Sequence, residues 1–199
     1  DLLPFFSRRI GLTEDEDGNT YEVPIRIGQK LTGKAGRFDL GLMGVRTGDT
    51  EIVNGQSLAV GRVKANFWRQ SYVGALFTNG NPEGGASNHL EGIDLRLATS
   101  NFLNRGKSFI FSLYGSRTRT AGLKGKDAAY GFEFVYPNDF LSADFRNLTI
   151  GENYNPALGF VPRTGVRINS SRLEFGPRPR FWGIRQLTFG VTYQDYYDL

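Results

Sequence analysis

Residues 91–136, EGIDLRLATSNFLNRGKSFIFSLYGSRTRTAGLKGKDAAYGFEFVY, contain three consecutive runs in which apolar side chains alternate with polar or small ones. Successive side chains of a β-strand point to opposite faces, so each run predicts a strand with one apolar face. Each run has about ten residues, which exceeds the usual ~5–6 and matches the ~9–11 of a tilted transmembrane strand. The apolar members are Ile93, Leu95 and Leu97, then Phe109, Phe111 and Leu113, then Ala128, Tyr130, Phe132 and Phe134.

The rest of the chain repeats this pattern and predicts roughly ten strands in a single domain, residues 1–199. The predicted fold is all-β: an antiparallel up-and-down transmembrane β-barrel, of which this chain is a part. Residues 1–24 are predicted to be an irregular entry segment. Besides the strand that begins at residue 91, the predicted strands are 25–34, 37–46, 57–67, 71–80, 107–119, 126–136, 141–149, 164–176 and 184–197.

Overall composition is compatible with this fold. Hydrophobic residues make up 39% of the chain and the mean hydropathy is -0.35. No run of ~18 apolar residues could form a membrane helix, whereas only every second residue of a barrel strand meets lipid. The 26 glycines suit many strands joined by tight turns, and the absence of cysteine excludes disulfides and thiolate metal sites.

Charge and histidine content argue against several function classes. The net charge of +4 comes from lysines and arginines that are spread along the strands, so we expect no nucleic-acid partner. His89 is the only histidine and lies in a stretch predicted to be a solvated loop, which disfavours a catalytic triad or a multi-histidine metal site. We therefore expect no enzyme activity, no cofactor and no metal in this chain.

Alternation alone does not distinguish a membrane barrel from a soluble one, because the two differ only in which face is apolar. Strand length and the many aromatic residues near strand ends favour the membrane barrel, since aromatic rings settle at the boundary between lipid and water. The alternative is that these rings cap the ends of a soluble barrel. The aromatic residues are Phe67, Trp68, Phe102, Tyr136, Phe140, Phe181, Trp182, Tyr196 and Tyr197.

Eight charged residues are candidates for the lumen-facing side of the barrel. Near the middle of the lipid each would cost a few kcal/mol, whereas in a wet lumen opposite charges can pair across neighbouring strands. They could line a selective pore or form a structural charge ladder, and we favour the ladder. The eight are Lys30, Arg62, Lys64, Asp94, Arg96, Glu133, Asp144 and Arg146.

Five stretches together resemble a family of bacterial outer-membrane β-barrels of unknown function, whose members commonly carry a preceding domain like the family-9 carbohydrate-binding modules. The resemblance implies a Gram-negative outer-membrane location, further strands beyond Leu199, and a carbohydrate role only through an appended domain. It implies no catalytic residues. The stretches are PFFSRRIGL at 4–12, PIRIGQKLTGKAGRFDLGLM at 24–43, VGRVKANFWRQSYVGALFTN at 60–79, GIDLRL at 92–97 and NPALGFVPRTGVR at 155–167.

Two functions follow as hypotheses from the sequence. The first is an outer-membrane barrel, in contact with the lipid bilayer, that passes small solutes or anchors an appended domain. The second is a soluble or surface β-barrel that binds carbohydrate or lipid.

Overall fold

The computed structural model describes residues 2–14, 17–179, 181 and 183–199, and ten long strands in these residues form one antiparallel sheet. Each strand pairs with its neighbours in sequence, so the sheet is an up-and-down meander. This confirms the prediction of an all-β, antiparallel fold with about ten strands. The strands are β3 (Ile25–Ala35), β4 (Phe38–Thr47), β5 (Ser57–Phe67), β6 (Ser71–Asn79), β7 (Asn88–Thr99), β8 (Phe109–Thr120), β9 (Ala128–Pro137), β10 (Leu141–Ile150), β11 (Val166–Phe175) and β12 (Phe189–Asp198).

The sheet is open at both edges. Within the described residues, β3 pairs only with β4, and β12 pairs only with β11, so these ten strands do not close into a barrel by themselves. Unpaired edges were expected for this part of the chain. The backbone groups along the outer side of β3 and β12 therefore remain available to further strands.

Strand positions agree with the sequence prediction to within two residues, except that β12 begins at Phe189 rather than near residue 184 and that β7 begins early. This strand begins at Asn88 rather than near residue 91, and it pairs His89 with Asn79 of β6. The prediction that His89 lies in a solvated loop is therefore wrong: its Nδ1 atom lies 2.7 Å from the side-chain oxygen of Asn79. The glycine-rich composition before residue 88 concealed the start of the strand.

The two rims of the sheet differ in the length of their connections. At one rim, called the short-turn rim, two or three residues join β3 to β4, β5 to β6 and β9 to β10. The opposite rim, called the long-loop rim, carries the connections 48–56, 80–87, 121–127 and 151–165. Two connections at the short-turn rim, 100–108 and 176–188, are longer than expected. Trp182, one of the predicted strand-end aromatics, lies outside the described residues.

Residues before β3 contain a short 3-10 turn at Ser7–Arg9 and a small hairpin of β1 (Leu12–Glu14) and β2 (Thr20–Glu22). Residues 2–14, called the N-terminal strap, run beside residues 151–165, called the long loop. Leu3 and Phe160 form a backbone bridge, and the Phe6 amide donates to the Leu158 carbonyl at 2.7 Å. Two distant parts of the chain are thus joined by backbone hydrogen bonds.

The strap and the long loop lie on one face of the sheet, called the covered face; the other is called the open face. Two small apolar clusters hold them there. Tyr154 of the long loop packs with Leu90, Ala129, Leu148, Ile150 and Val166, and Leu158 packs with Leu58 and Val60. Among the described residues, no helix has the length and apolarity needed to span a membrane.

Candidate functional site

The strand register places all eight charged candidates on the covered face. Directly paired residues share a face, and the chain of pairs runs from Lys30 opposite Met43 to Arg146 opposite Glu133. Seven of the eight are half-buried and Lys30 is exposed. The structure therefore brings these residues to the same side as the strap and the long loop.

Arg62 and Asp94 form the most closely engaged pair of this face. The guanidinium donates to both carboxylate oxygens, at 2.5 and 2.8 Å, in the bidentate geometry that arginine favours. The two residues lie on β5 and β7, and Gly74 of the intervening β6 is the register partner of Asp94 and of Lys64, the next covered-face residue after Arg62. A Cβ atom at Gly74 would lie 2.6 Å from the Arg62 Nη2 atom and 2.8 Å from the Asp94 Oδ1 atom. Glycine is therefore needed for the pair to span a strand.

Two further groups of opposite charges pair across adjacent strands. Arg146 donates to Glu133 at 2.7 Å, and the two residues are direct register partners. Lys64 lies 3.9 Å from Asp39, which also accepts a hydrogen bond from Asn66 at 2.8 Å. Cross-strand pairs of this kind are what a structural charge ladder requires, and the choice between a ladder and a selective lining stays a prediction.

The remaining three candidates are not part of this ladder. In the described part of the chain, no salt bridge involves Lys30, Arg96 or Asp144. Arg96 and Asp144 lie toward the short-turn rim, away from the strap and the long loop.

Tyr114 of β8 lies over Gly131 of β9, its direct register partner. A Cβ atom at Gly131 would lie 2.8 Å from the Tyr114 hydroxyl oxygen and would collide with the Asn147 carbonyl oxygen. An aromatic ring that covers a strand glycine pins the register of the two strands. This contact lies beside the Arg62–Asp94 pair, because Tyr114 is also the register partner of Asp94.

Asn88 and Tyr154 fix the long loop to the covered face. The Asn88 side-chain amide donates to the Asn155 carbonyl at 2.8 Å and accepts from the Ala157 amide at 3.3 Å. The Tyr154 hydroxyl lies 2.7 Å from the Ser116 hydroxyl. Burial of the phenol raises the pKa of Tyr154 to about 12. Both side chains are almost fully buried, so the loop is held by satisfied polar groups within an apolar cluster.

A cavity of about 300 Å³ lies between the strap and the covered face. Leu2 and Pro4 of the strap form one side, and the opposite side includes Arg62, Asp94 and Tyr114. The cavity is mostly apolar with one ion pair at its wall. Within the described residues, no group of three or more His, Cys, Asp or Glu side chains is placed to hold a metal ion.

Sequence reasoning predicted a long connection between the strands 141–149 and 164–176, but it missed the strap and the anchors that hold both segments to the covered face. Asn88 and Tyr154 are separated from their partners by 38 to 69 residues, so no local periodicity marks them. The one available signal was the run of small residues and prolines at 155–162, which is typical of a tightly packed loop.

Comparisons with known proteins return no matches: no protein-family model, no curated protein and no solved structure is similar to this chain.

Proposed function

We propose that this chain forms part of an outer-membrane β-barrel, with the open face toward lipid and the covered face toward the lumen. The barrel anchors an appended domain and passes at most small solutes. This assignment extends the resemblance described above to a location and a role.

The open face carries a broad apolar surface that nothing in the described structure covers. Ile93 is 69% exposed and Leu31 is 66% exposed. A contiguous exposed apolar surface of this size on a soluble protein would be an association or aggregation site. Its other members include Leu40, Leu42, Val63, Val73, Phe77, Leu113, Tyr130, Phe134, Phe145, Leu173 and Val191.

The shape of this apolar band is the observation that carries the proposal. On the open face of β4 the apolar band begins at Phe38. The first polar side chain that follows on this face toward the long-loop rim is Arg46, eight residues further along the strand. In β10 the first polar residue is already Asn147, which lies in the same hydrogen-bonded row as Phe38. That row consists of Phe38, Ala65, Val73, Leu95, Leu113, Phe132, Asn147, Asn169 and Asp195.

Measured from this row, the edge of the band nearest the long-loop rim therefore shifts by eight residues over the six strand steps from β4 to β10. With a rise of ~3.3 Å per residue and a strand spacing of ~4.8 Å, the band is inclined by about 40° to the rows. A band level with a membrane has this inclination when the strands tilt by ~35–45°, as they do in transmembrane barrels. A soluble sheet has no need of such a band, so the inclination supports a membrane role.

The sheet edges and the exposed aromatics agree with this proposal. A spanning strand must have its backbone groups paired within protein, so the free edges of β3 and β12 require further strands that close the barrel. Trp68 is 80% exposed at the short-turn rim, although its positive φ of 50° is unfavourable for a bulky residue. An exposed tryptophan in this position suits an interfacial anchor.

The covered face supports the proposal that the barrel anchors a domain and lets at most small solutes through its lumen. The strap and the long loop occupy its long-loop end, and the Arg62–Asp94 and Glu133–Arg146 pairs neutralise most of the charge below them. An open, ion-selective lumen would instead present unpaired charges of one sign. Solutes would have to pass the cavity beside Leu2 and Pro4.

Two experiments test the proposed function. The intact protein in detergent should migrate faster on a gel before boiling than after it, because a closed barrel resists unfolding; identical migration would favour the soluble, carbohydrate- or lipid-binding barrel. In planar bilayers the intact protein should show low conductance. Leu158→Asp, which introduces a charge into a fully buried position of the long loop, should raise that conductance. A large conductance in the unmodified protein would contradict the restricted lumen.

A further inference from the structure

The open face carries four basic residues in its strands, and all four lie at the long-loop end of the apolar band. They belong to β4, β8 and β11, and no other strand of the described structure places a lysine or arginine on this face outside the bulge at the start of β3. All four are exposed, and all four are arginine rather than lysine. The residues, called the arginine belt, are Arg46, Arg117, Arg119 and Arg167.

Two members of the belt are held in place by hydroxyl groups rather than by salt bridges. Arg46 donates to the Ser57 hydroxyl at 2.8 Å, and Arg167 donates to the Thr149 hydroxyl at 3.3 Å. In the part of the chain that the structure describes, neither forms a salt bridge. Each guanidinium therefore has one nitrogen fixed by a hydroxyl and keeps other N–H donors for an external acceptor, although the Arg46 charge also acts on Asp49, whose pKa it helps to lower.

The other two members have carboxylate partners of their own. Arg117 makes a two-point ion pair with Asp127 at 3.0 Å, and Arg119 lies 3.7 Å from the exposed Glu91. Arg117 is thus already satisfied, whereas Arg119 is only loosely engaged. Arg46 and Arg167 are the strongest candidates for an outside ligand, with Arg119 as a supporting charge.

We infer that Arg46 and Arg167 bind phosphate groups of membrane lipids at the long-loop rim, of the kind carried by a phosphorylated glycolipid. This rests on the proposed function, because only a membrane places a layer of headgroups at the edge of the apolar band. Guanidinium groups match the oxygens of a phosphate with two parallel hydrogen bonds, which explains the use of arginine. On β4 the exposed Leu40 and Leu42 lie below Arg46 and are positioned for the acyl chains of the same lipid, whereas on β11 Asn169 and Ser171 separate Arg167 from Leu173.

The asymmetry of the open face supports a lipid in preference to a free anion. The short-turn end of the same face has aromatic residues and no basic residue within the strands, and its exposed arginines, such as Arg69 and Arg105, lie in the turns beyond the strand ends. A soluble anion would need only the guanidinium groups, whereas a lipid also uses the apolar band beside them. The belt therefore distinguishes one leaflet from the other.

The test measures binding of a diphosphorylated glycolipid to the intact protein in detergent, by native mass spectrometry and by thermophoresis. Arg46→Gln/Arg167→Gln should weaken binding about tenfold or more, as expected for the loss of charge-assisted contacts. Arg69→Gln/Arg105→Gln removes the same charge from exposed turns at the short-turn rim and should leave binding unchanged.

Two probes identify the source of the phosphate. The dephosphorylated glycolipid should bind at least as weakly as the double variant does, and inorganic phosphate should not compete at millimolar concentration. Equal binding by the belt variant, equal binding of the dephosphorylated lipid, or full competition by inorganic phosphate would each overturn the inference. Gel migration without heat modification would instead refute the proposed function, and heat-modified migration of the belt variant shows that the barrel has folded.

Discussion

Arg62 of β5 and Asp94 of β7 form a bidentate ion pair across an entire intervening strand, above the bare backbone of Gly74. This pair links three strands rather than two and lies on the face that the strap and the long loop cover. Because both side chains are about three-quarters buried, the pair is screened less than a surface pair would be. It therefore braces the sheet beneath Leu2 and Pro4, at the start of the strap.

Replacing Gly74 with alanine should break this brace. The new methyl group would occupy the space of the Arg62 guanidinium, and we expect a loss of about 1–2 kcal/mol in unfolding free energy as one charge-assisted contact is lost. Urea unfolding from lipid vesicles, followed by the heat-modifiable gel band, measures the loss. Gly33→Ala is the matched control, because a Cβ atom there would meet nothing within 4 Å. Equal stability of the two variants would contradict the role of the pair.

Replacing Gly131 with alanine should be more damaging. Its Cβ atom would meet the Asn147 carbonyl as well as the Tyr114 hydroxyl, and a backbone atom cannot swing away. We expect a destabilisation of about 2–3 kcal/mol, typical of overpacking. Gly115→Ala, on the open face of the adjacent strand, makes only an ordinary 3.9 Å contact and should be tolerated in the same assay. A greater loss of stability in Gly115→Ala than in Gly131→Ala would contradict the close contact at Gly131.

Phe132 and Glu133 test the two faces at neighbouring positions. Phe132→Arg puts a charge on the open face and should cost roughly 2–4 kcal/mol of folding into bilayers if it lies near the midplane. Glu133→Gln breaks a partly exposed pair with Arg146 and should cost less than about 1 kcal/mol. Folding yield into vesicles measures both. A tolerated Phe132→Arg together with a damaging Glu133→Gln would mean that the two faces are assigned the wrong way round, with the open face inside the barrel.

Tyr154 makes the long loop sensitive to alkali. Its pKa is about 12 in the folded chain, against about 10 for an exposed tyrosine, because burial disfavours the phenolate. The folded state thus holds the phenol proton more tightly than the unfolded state does. The contribution of the buried phenol to the unfolding free energy is therefore complete below pH ~10 and is lost as pH rises toward ~12.

The comparison of the unmodified protein with Tyr154→Phe isolates this effect from the other groups that titrate in alkali. The unfolding free energy of the unmodified protein should fall relative to the variant between pH ~10 and ~12. In a pH titration followed by phenolate absorbance, the variant should show one tyrosine fewer than the unmodified protein among those that ionise near pH ~12. A constant difference across this range would mean that Tyr154 is not buried.

The alternation of apolar and polar side chains allowed the strands and their two faces to be predicted. A strand with one buried or lipid-facing side carries an apolar residue at every second position. The eight charged candidates share a face for this reason. The role of Gly74 could not be predicted, since it depends on which residues of β5 and β7 flank it, and therefore on register. Likewise, the contact of Phe6 with Leu158 joins segments more than 150 residues apart, and nothing local encodes it.

Cysteine scanning of β8 tests the central claim most directly, since the chain has no native cysteine to interfere. Single cysteines at positions 109 to 114 of the intact protein, refolded into vesicles and labelled with an environment-sensitive dye, would be exposed to lipids that carry a nitroxide quencher. We predict quenching at Phe109, Phe111 and Leu113, and little quenching at Ile110, Ser112 and Tyr114. Quenching at the second set instead of the first, or at neither set, would contradict an open face that lies against lipid.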